Sequence, residues 1–264
     1  MRIYVVDAFT DAAFSGNPAG VCLPDAAHAA DAAWMQSVAA EMRHAETAFL
    51  VPSTRDDADW DLRWFTPEVE VDLCGHATLA SAHVLFTEGL AGVDVRFATR
   101  SGILSARRRP EGGIALDFPL LPPQQVPEPA GLPEILGVPV AAVAGGGGDL
   151  LVELASADAV RGVVPDLDAL ARLPYRCVVV TAPGEDGADF VSRVFAPAVG
   201  IPEDPVTGSA HCLLAPYWAP RVGRTRLTAR QLSARGGVVG VELRGERVAL
   251  VGDAVLVLRG ELAV

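Results

Sequence analysis

The stretch Cys74-Gly75-His76-Ala77-Thr78-Leu79-Ala80 marks the start of a helix, and a strand-like run, Leu62–Pro67, leads into it through acidic residues. From His76 onward, small and apolar residues recur at helical spacing. The first N–H groups of a helix have no acceptor within the helix, and the helix dipole favours an anion there. We therefore expect His76 to lie at a helix N-terminus that can hold a carboxylate.

A partial copy of this pattern occurs about 130 residues later, at Thr207-Gly208-Ser209-Ala210-His211. Three sets of residues match in the same order. They are Arg63, Phe65, Pro67, Val69 and Val71 with Arg193, Phe195, Pro197, Val199 and Ile201, then Gly75-His76-Ala77 with Gly208-Ser209-Ala210, then Arg100-Ser101-Gly102-Ile103 with Arg235-Gly236-Gly237-Val238. The repeat predicts a duplication, with two similar halves whose helix N-termini face each other across a cleft.

The length of 264 residues suits two domains of ordinary size. A proline-rich segment, 119–133, reads as an extended crossing between the halves. We predict an N-terminal domain over 1–118 and a C-terminal domain over 119–264, with the last strand allowed to cross back to the first domain. The offset between the halves places Cys177 opposite Glu46, so the second half has no matching carboxylate.

Composition and charge narrow the classes of function. Half of the residues are hydrophobic, 20% are charged and the net charge is −12, which indicates a globular protein and disfavours nucleic acid or an anionic membrane as partner. A small anion stays compatible, because helix dipoles act locally. The apolar run at the N-terminus is too short for a signal peptide, and four scattered cysteines are typical of reduced thiols. These features predict a cytoplasmic protein.

Three candidate site residues have ordinary explanations when each is taken alone. Glu46 directly precedes the apolar strand Thr47–Val51, where it is either a solvated carboxylate or a partly desolvated one that can exchange protons with carbon. The first reading is the commoner. Asn17 lies in Ser15–Gly20, which has the composition of a surface turn, and Asp204 before Pro205 is an ordinary turn starter, with Thr207 or Ser209 as N-cap.

Five motifs together resemble the phenazine biosynthesis-like (PhzF) family of the diaminopimelate epimerase-like superfamily. They are Asp7-Ala8-Phe9-Thr10, Gly16-Asn17-Pro18-Ala19-Gly20-Val21, Glu46-Thr47-Ala48-Phe49, Cys74–Leu79 and Asp204–Ala210. The resemblance runs nearly end to end. It implies an α+β fold of two similar domains related by pseudo-two-fold symmetry, each a barrel-like sheet around a central helix, with the active site in the cleft between them.

The resemblance also implies the chemistry. The family's namesake isomerises trans-2,3-dihydro-3-hydroxyanthranilate by moving a proton between ring carbons, with no metal or other cofactor. The matching positions assign Glu46 as the general acid/base and His76 and Asp204 as further catalytic residues. Asn17, Gly75, Gly208 and Ser209 become substrate contacts. A small carboxylate substrate and a homodimer are implied in the same way.

Two other classes of protein remain as alternatives. A two-thiol racemase or epimerase would use Cys74 as one thiol, but the place of the second holds Pro205, and Cys212 lies a turn inside the helix. Cys74 then reads as a small buried filler. A non-catalytic binding protein of the same fold is disfavoured by the complete set of polar residues. A metal site built from His76, His83, His211 and Cys212 is disfavoured by their spacing.

Overall fold

The structure, a computed structural model, describes residues 1–263 and divides into two compact units. The first unit comprises Met1–Asp117 and Val251–Val264, and the second comprises Phe118–Leu250. The C-terminal strand therefore belongs to the first unit.

The first unit contains two helices and a mixed sheet. The helices are α1 Ala32–Met42 and α2 Gly75–Thr87. The strands are β1 Arg2–Ala8, β2 Asn17–Leu23, β3 Thr47–Pro52, β4 Trp60–Phe65, β5 Glu70–Val71, β6 Asp94–Thr99, β7 Gly102–Arg108, β8 Ile114–Pro119 and, from the C-terminal segment, β17 Ala254–Glu261. Strand β8 extends past the end of the unit.

Helix α2 is the centre of the first unit. All but two of its 13 residues are buried, which is what a helix that is apolar on every side requires. It packs against β1, β2, β3, β7 and β17. A sheet that surrounds one helix in this way fixes the helix N-terminus relative to the strands beside it.

The second unit repeats this plan with different loops. Its helices are α3 Leu132–Leu136, α4 Ala157–Gly162, α5 Leu167–Ala171 and α6 Gly208–Val222, with a 3-10 turn over Pro197–Val199. Its strands are β9 Ala142–Gly146, β10 Asp149–Glu153, β11 Val178–Pro183, β12 Phe190–Ala196, β13 Ile201–Asp204, β14 Arg226–Gln231, β15 Gly237–Arg244 and β16 Arg247–Gly252. Most of α6 is buried, as α2 is.

The order of strand pairing is the same in both units. In the first, the pairs β1–β2, β2–β3, β3–β4, β4–β6 and β6–β7 are antiparallel, parallel, antiparallel, parallel and antiparallel. In the second, β9–β10, β10–β11, β11–β12, β12–β14 and β14–β15 follow the same sequence of directions. Short strands, β5 and β13, pair antiparallel with β4 and β12 in equivalent places. The duplication predicted from the sequence is therefore present in the topology of each unit.

Two stretches read as turns from the sequence are partly strand. Asn17–Gly20 belongs to β2 and is not a surface loop: Asn17 is fully buried, and Gly20 is needed because a Cβ there would lie 2.8 Å from Thr47 Oγ1. The run of four glycines Gly145–Gly148 has the composition of a flexible turn, but its first two residues end β9 and only the last two form the turn. Turn-forming residue types were thus selected here for close strand packing.

Among residues 1–263, no helix has both the length and the apolar character needed to span a membrane. All four cysteines are buried free thiols.

Candidate active site

Glu46 and His76 are brought together in the first unit. Glu46 is the residue before β3, and its carbonyl oxygen accepts a hydrogen bond from Gly20 N on β2, at 3.2 Å. His76 is the second residue of α2. Glu46 Oε2 lies 3.3 Å from His76 Nε2, and the two side chains are 13% and 5% exposed. The sequence alone favoured a solvated Glu46, and the structure shows instead a nearly buried carboxylate against an imidazole.

Asn17 fixes the orientation of the His76 ring. Its Nδ2 lies 3.2 Å from His76 Nδ1, and an amide nitrogen can only donate, so Nδ1 accepts and the proton of the neutral ring is on Nε2. That proton is on the side of Glu46, but the alignment of Nε2 and Oε2 is not that of a hydrogen bond. His76 can therefore donate from Nε2 to another group in the same place.

Burial keeps His76 uncharged. Removal from water, with a smaller contribution from His44, lowers the pKa of His76 to about 3. The ring is therefore neutral across the physiological range, and it serves as a hydrogen-bond donor and not as a cation.

Cys74 is more than the small filler expected from the sequence. It is the N-cap residue of α2, but it makes no side-chain cap, so the first N–H groups of the helix are left for other acceptors. Its Sγ lies 3.5 Å from His76 Nδ1. The thiol is thus a second neighbour of the imidazole nitrogen that Asn17 binds.

Gly16 sets the position of Asn17. Its φ of +65° lies in the left-handed region, and a Cβ on it would lie 2.2 Å from the carbonyl oxygen of Ala8. No other residue fits that turn without moving β1 or β2. The glycine before Asn17 is therefore part of the support of the His76 ring.

The second unit places Asp204 at the end of β13, three residues before the N-cap of α6. The Thr207 hydroxyl donates to Asp204 Oδ2, and Gln231 Nε2 donates to the carbonyl oxygen of Asp204 at 2.7 Å. Thr207 N donates to Gln231 Oε1 at 2.9 Å. Thr207 was read as an ordinary N-cap, but its hydroxyl holds the Asp204 carboxylate and does not cap the helix.

Ser209, the second residue of α6, contacts a cation that sequence reasoning missed. Arg176 Nη2 lies 3.3 Å from Ser209 Oγ, while Nε and Nη2 of the same guanidinium donate to the two oxygens of Asp149. The signal was present in the sequence, because Arg176 precedes Cys177, the counterpart of Glu46. The comparison of the two halves matched Glu46 with Cys177 only, and it did not consider the cation next to Cys177.

The two cysteines of the second unit, Cys177 and Cys212, are poor nucleophiles. Burial raises the pKa of Cys177 and of Cys212 to about 12, so neither thiol ionises near neutral pH. Cys212 lies within α6, where Sγ is 3.9 Å from the carbonyl oxygen of Gly208. The second unit thus offers no ready partner thiol for a two-thiol racemase.

One cluster has the donor types of a metal site. Single ligand atoms of Glu46, Cys74 and His76 lie within 4.8 Å of one another. Carboxylate, thiolate and imidazole are ligands that Zn²⁺ accepts, and this grouping differs from the one weighed from the sequence. Asn17 Nδ2 and Cys74 Sγ both lie next to His76 Nδ1, at 3.2 and 3.5 Å, so this nitrogen already has two neighbours within the protein.

The model of the phenazine biosynthesis-like protein family (PhzC-PhzF) matches residues 6–260. The chain belongs to the phenazine biosynthesis-like family. An uncharacterized isomerase of Pseudomonas aeruginosa is 51% identical over 263 residues, which cover 99% of this chain and 98% of that protein. Kinship to this family confirms the resemblance read from the five motifs.

Solved structures agree with the family and with the α+β fold. A PhzF family protein of Enterococcus faecalis superposes with a TM-score of 0.92 at 41% identity, covering 100% of this chain and 99% of that one. A probable proline racemase of Agrobacterium radiobacter, 14% identical, superposes with a TM-score of 0.66 over 99% of this chain and 92% of its own, which shows a shared fold.

The names of these phenazine biosynthesis-like relatives support an isomerase type of activity. The predicted cleft, the homodimer and the cytoplasmic location stay predictions.

Proposed function

We propose that this protein is a cofactor-independent isomerase that moves a proton between two carbons of a small carboxylate, in the manner of trans-2,3-dihydro-3-hydroxyanthranilate isomerisation. Glu46 is the general acid/base. The observation that carries the proposal is the 3.3 Å approach of Glu46 Oε2 to a neutral His76 at the uncapped N-terminus of α2.

Glu46 suits proton transfer to and from carbon. As a carboxylate it takes the proton from one carbon, and as a carboxylic acid it returns the proton to another, so the reaction leaves it unchanged. The side chain is 13% exposed, so it is shielded from most of the water but can still exchange its proton with solvent between the two transfers. One base that serves both carbons agrees with the lack of a carboxylate at Cys177, its counterpart.

His76 and the helix stabilise the charge that develops on the substrate. Loss of a proton from carbon spreads negative charge onto the conjugated system, and a fixed donor lowers the energy of that state. His76 supplies Nε2–H, held by the Asn17 contact at Nδ1. Gly75 and His76 add first-turn N–H groups of α2.

In the second unit, Asp204, Gly208 and Ser209 are assigned to binding the polar groups of the substrate. Two observations support the assignment: the Asp204 carboxylate is held by Thr207, and the first turn of α6 lacks a side-chain cap. A residue fixed by its neighbours binds without the cost of being ordered.

The proposed chemistry needs no electron acceptor. A proton leaves one carbon and arrives at another, and the double bonds shift with no net oxidation of the substrate. Independence from metal and organic cofactors is accordingly part of the proposal.

Turnover of trans-2,3-dihydro-3-hydroxyanthranilate, followed by ultraviolet absorbance, tests the reaction. We expect turnover by the wild type and a loss of about 10³-fold or more in kcat for Glu46→Gln, since general acid/base groups contribute roughly 10²- to 10⁴-fold. In deuterated water, the wild-type product should gain deuterium at the protonated carbon.

Glu41→Gln is the matched control, because Glu41 is an exposed glutamate at the end of α1. It should retain wild-type kcat. Equal turnover by wild type and Glu46→Gln would remove Glu46 from the mechanism. If wild type, freshly purified and folded, turns over nothing, this substrate is rejected, and deuterium exchange into other small carboxylates becomes the assay.

A further inference from the structure

Arg176 lies two residues before β11, and its side chain reaches the first turn of α6. Its backbone N–H donates to the carbonyl oxygen of Gly148 at 2.8 Å, which fixes the backbone at this point. Nη2 lies 3.3 Å from Ser209 Oγ. A positive charge therefore stands beside the N–H groups with which α6 begins.

Asp149 holds this guanidinium in place. Nε and Nη2 of Arg176 donate to Oδ1 and Oδ2 of Asp149 at 3.0 and 2.6 Å, in the forked geometry that gives strong and directional pairs. The Asp149 side chain is fully buried, whereas 43% of the Arg176 side chain is exposed. The carboxylate thus anchors the inner edge of the guanidinium, and the outer edge stays accessible.

That outer edge has donors to offer. Within residues 1–263, Nη1 of Arg176 takes part in no hydrogen bond. A guanidinium presents five N–H groups in a plane, and two parallel donors match a carboxylate. Arg176 is therefore equipped to bind a second carboxylate while it keeps the first.

Arg176 lies in the second unit close to the position that Glu46 has in the first unit. In the first unit, the residue before β3 is Glu46, and it contacts His76 at the second position of α2. In the second unit, Arg176, two residues before β11, contacts Ser209 at the second position of α6. The same backbone arrangement thus places a carboxylate at the N-terminus of α2 and a guanidinium cation at the N-terminus of α6.

We propose that Arg176 binds the carboxylate of the substrate at the N-terminus of α6, with Asp149 as its positioning residue. The inference rests on the proposed function and deepens it by assigning the group that recognises the anion. Gly208 and Ser209 then add neutral donors beside the charge. The substrate class that follows is a small ring or chain that carries a carboxylate, which the free edge of the Arg176 guanidinium can bind.

A pair of probes separates carboxylate recognition from ring binding. Anthranilate carries an amine and a carboxylate on one ring, and aniline lacks the carboxylate. By titration calorimetry, we expect the wild type to bind anthranilate more tightly than aniline. Arg176→Gln should lower the affinity for anthranilate by about 10- to 100-fold, the usual range for a lost charged hydrogen bond, and leave the affinity for aniline unchanged. The affinity of Arg176→Lys for anthranilate should lie between that of the wild type and that of Arg176→Gln.

Folding needs its own control, because Arg176→Gln leaves the buried Asp149 without its partner. The double variant Asp149→Asn with Arg176→Gln removes both charges and should fold as the wild type does, with the same selective loss of anthranilate binding. Arg224→Gln removes an exposed arginine paired with Asp189 elsewhere in the unit and should bind both probes normally. In kinetics, the Arg176 variants should raise KM more than they lower kcat.

Three results would overturn the assignment: wild-type affinity for anthranilate in both Arg176→Gln variants, an equal loss for the two probes, or a wild type that does not distinguish them. Failure of the proposed reaction is a separate result. A protein without isomerase activity that still shows Arg176-dependent binding of anthranilate would reject the reaction and keep the carboxylate site.

Discussion

The helix N-termini of the two units share their backbone and differ in their chemistry. Helix α2 begins beside Glu46, with His76 in its first turn, and helix α6 begins beside Arg176, with Ser209 in the matching position. Both helices follow an equivalent short strand and lack a side-chain cap. The first unit is therefore built to exchange a proton, and the second is built to hold a negative charge.

The two units share an arginine that binds a glutamate and lies over a phenylalanine ring. Arg63 binds both oxygens of Glu70 and lies over the Phe65 ring, at 5.1 Å from its centre. Arg193 does the same with Glu203 and Phe195, at 4.9 Å. These pairs tie β4 to β5 and β12 to β13. The repeat thus preserves the supports that lead into each helix, while the residues at the helix N-termini were free to specialise.

The largest effect expected from this comparison concerns the second residue of each helix. His76→Ala removes the Nε2–H donor and should lower kcat by about 10²- to 10³-fold, as the loss of a charge-stabilising donor does. Ser209→Ala should mainly raise KM, by about tenfold or less, because its hydroxyl assists binding. Steady-state kinetics on both variants, checked for fold by circular dichroism, tests the contrast. Similar losses of kcat in both would mean that the units do not divide the work.

A smaller effect concerns Zn²⁺. Glu46, Cys74 and His76 present carboxylate, thiol and imidazole within 4.8 Å, so added Zn²⁺ should inhibit, whereas treatment with a chelator should leave activity intact. Cys74→Ser should raise the inhibitory concentration by about tenfold or more, because the soft ligand is lost. Cys212→Ser, in the buried part of α6, is the control. Inhibition that is unchanged in Cys74→Ser would place the metal elsewhere, and loss of activity with the chelator would contradict cofactor independence.

The smallest expected effect is on stability at low pH. His211 occupies the position in α6 that Thr78 occupies in α2, and burial lowers its pKa to about 4. Its Nδ1 lies 2.8 Å from the Thr207 carbonyl oxygen, so Nδ1 carries the proton of the neutral ring. The unfolded chain gains a proton below about pH 6.5 that the folded one does not, so this contribution is complete above that pH and is lost as the pH falls toward 4.

Urea unfolding at pH 7.5 and at pH 5.0 measures this contribution. His211→Gln keeps a donor for Thr207 and removes the titration. Its unfolding free energy should fall less than that of the wild type between the two pH values, by about 2 kcal/mol. An equal fall in both proteins would show that His211 is not held neutral.

Much of the fold could be read from local signals. The apolar periodicity around Met35 and Val38 predicts a helix over Asp31–Met42. The structure has α1 there, and the Asp31 side chain caps it by accepting from Trp34 N. Leu132–Leu136, just after the proline-rich segment, also reads as a short helix from the sequence, and α3 has these bounds. Helix α4 and the short strands β5 and β13 were missed, because none of them has an apolar run or periodicity that distinguishes it from a loop.

The candidate site was less accessible to sequence reasoning. Asn17 reads as a turn residue, since Ser-Gly-Asn-Pro-Ala-Gly is turn-like in composition, and only its antiparallel pairing with β1 shows that this segment is a strand. Asp149 and Arg176 are 27 positions apart and carry no motif. They come together because the parallel strands β10 and β11 begin side by side.

The sequence by itself determined the duplication, the family and the residue types at each helix N-terminus, because these depend on order and spacing along the chain. Only the tertiary structure decided which side chains touch and which are buried. Burial makes His76 neutral, the contact of Asn17 puts its proton on Nε2, and the buried Asp149 turns Arg176 toward α6. Such properties depend on desolvation and on distances across strands, and neither can be predicted from the local sequence.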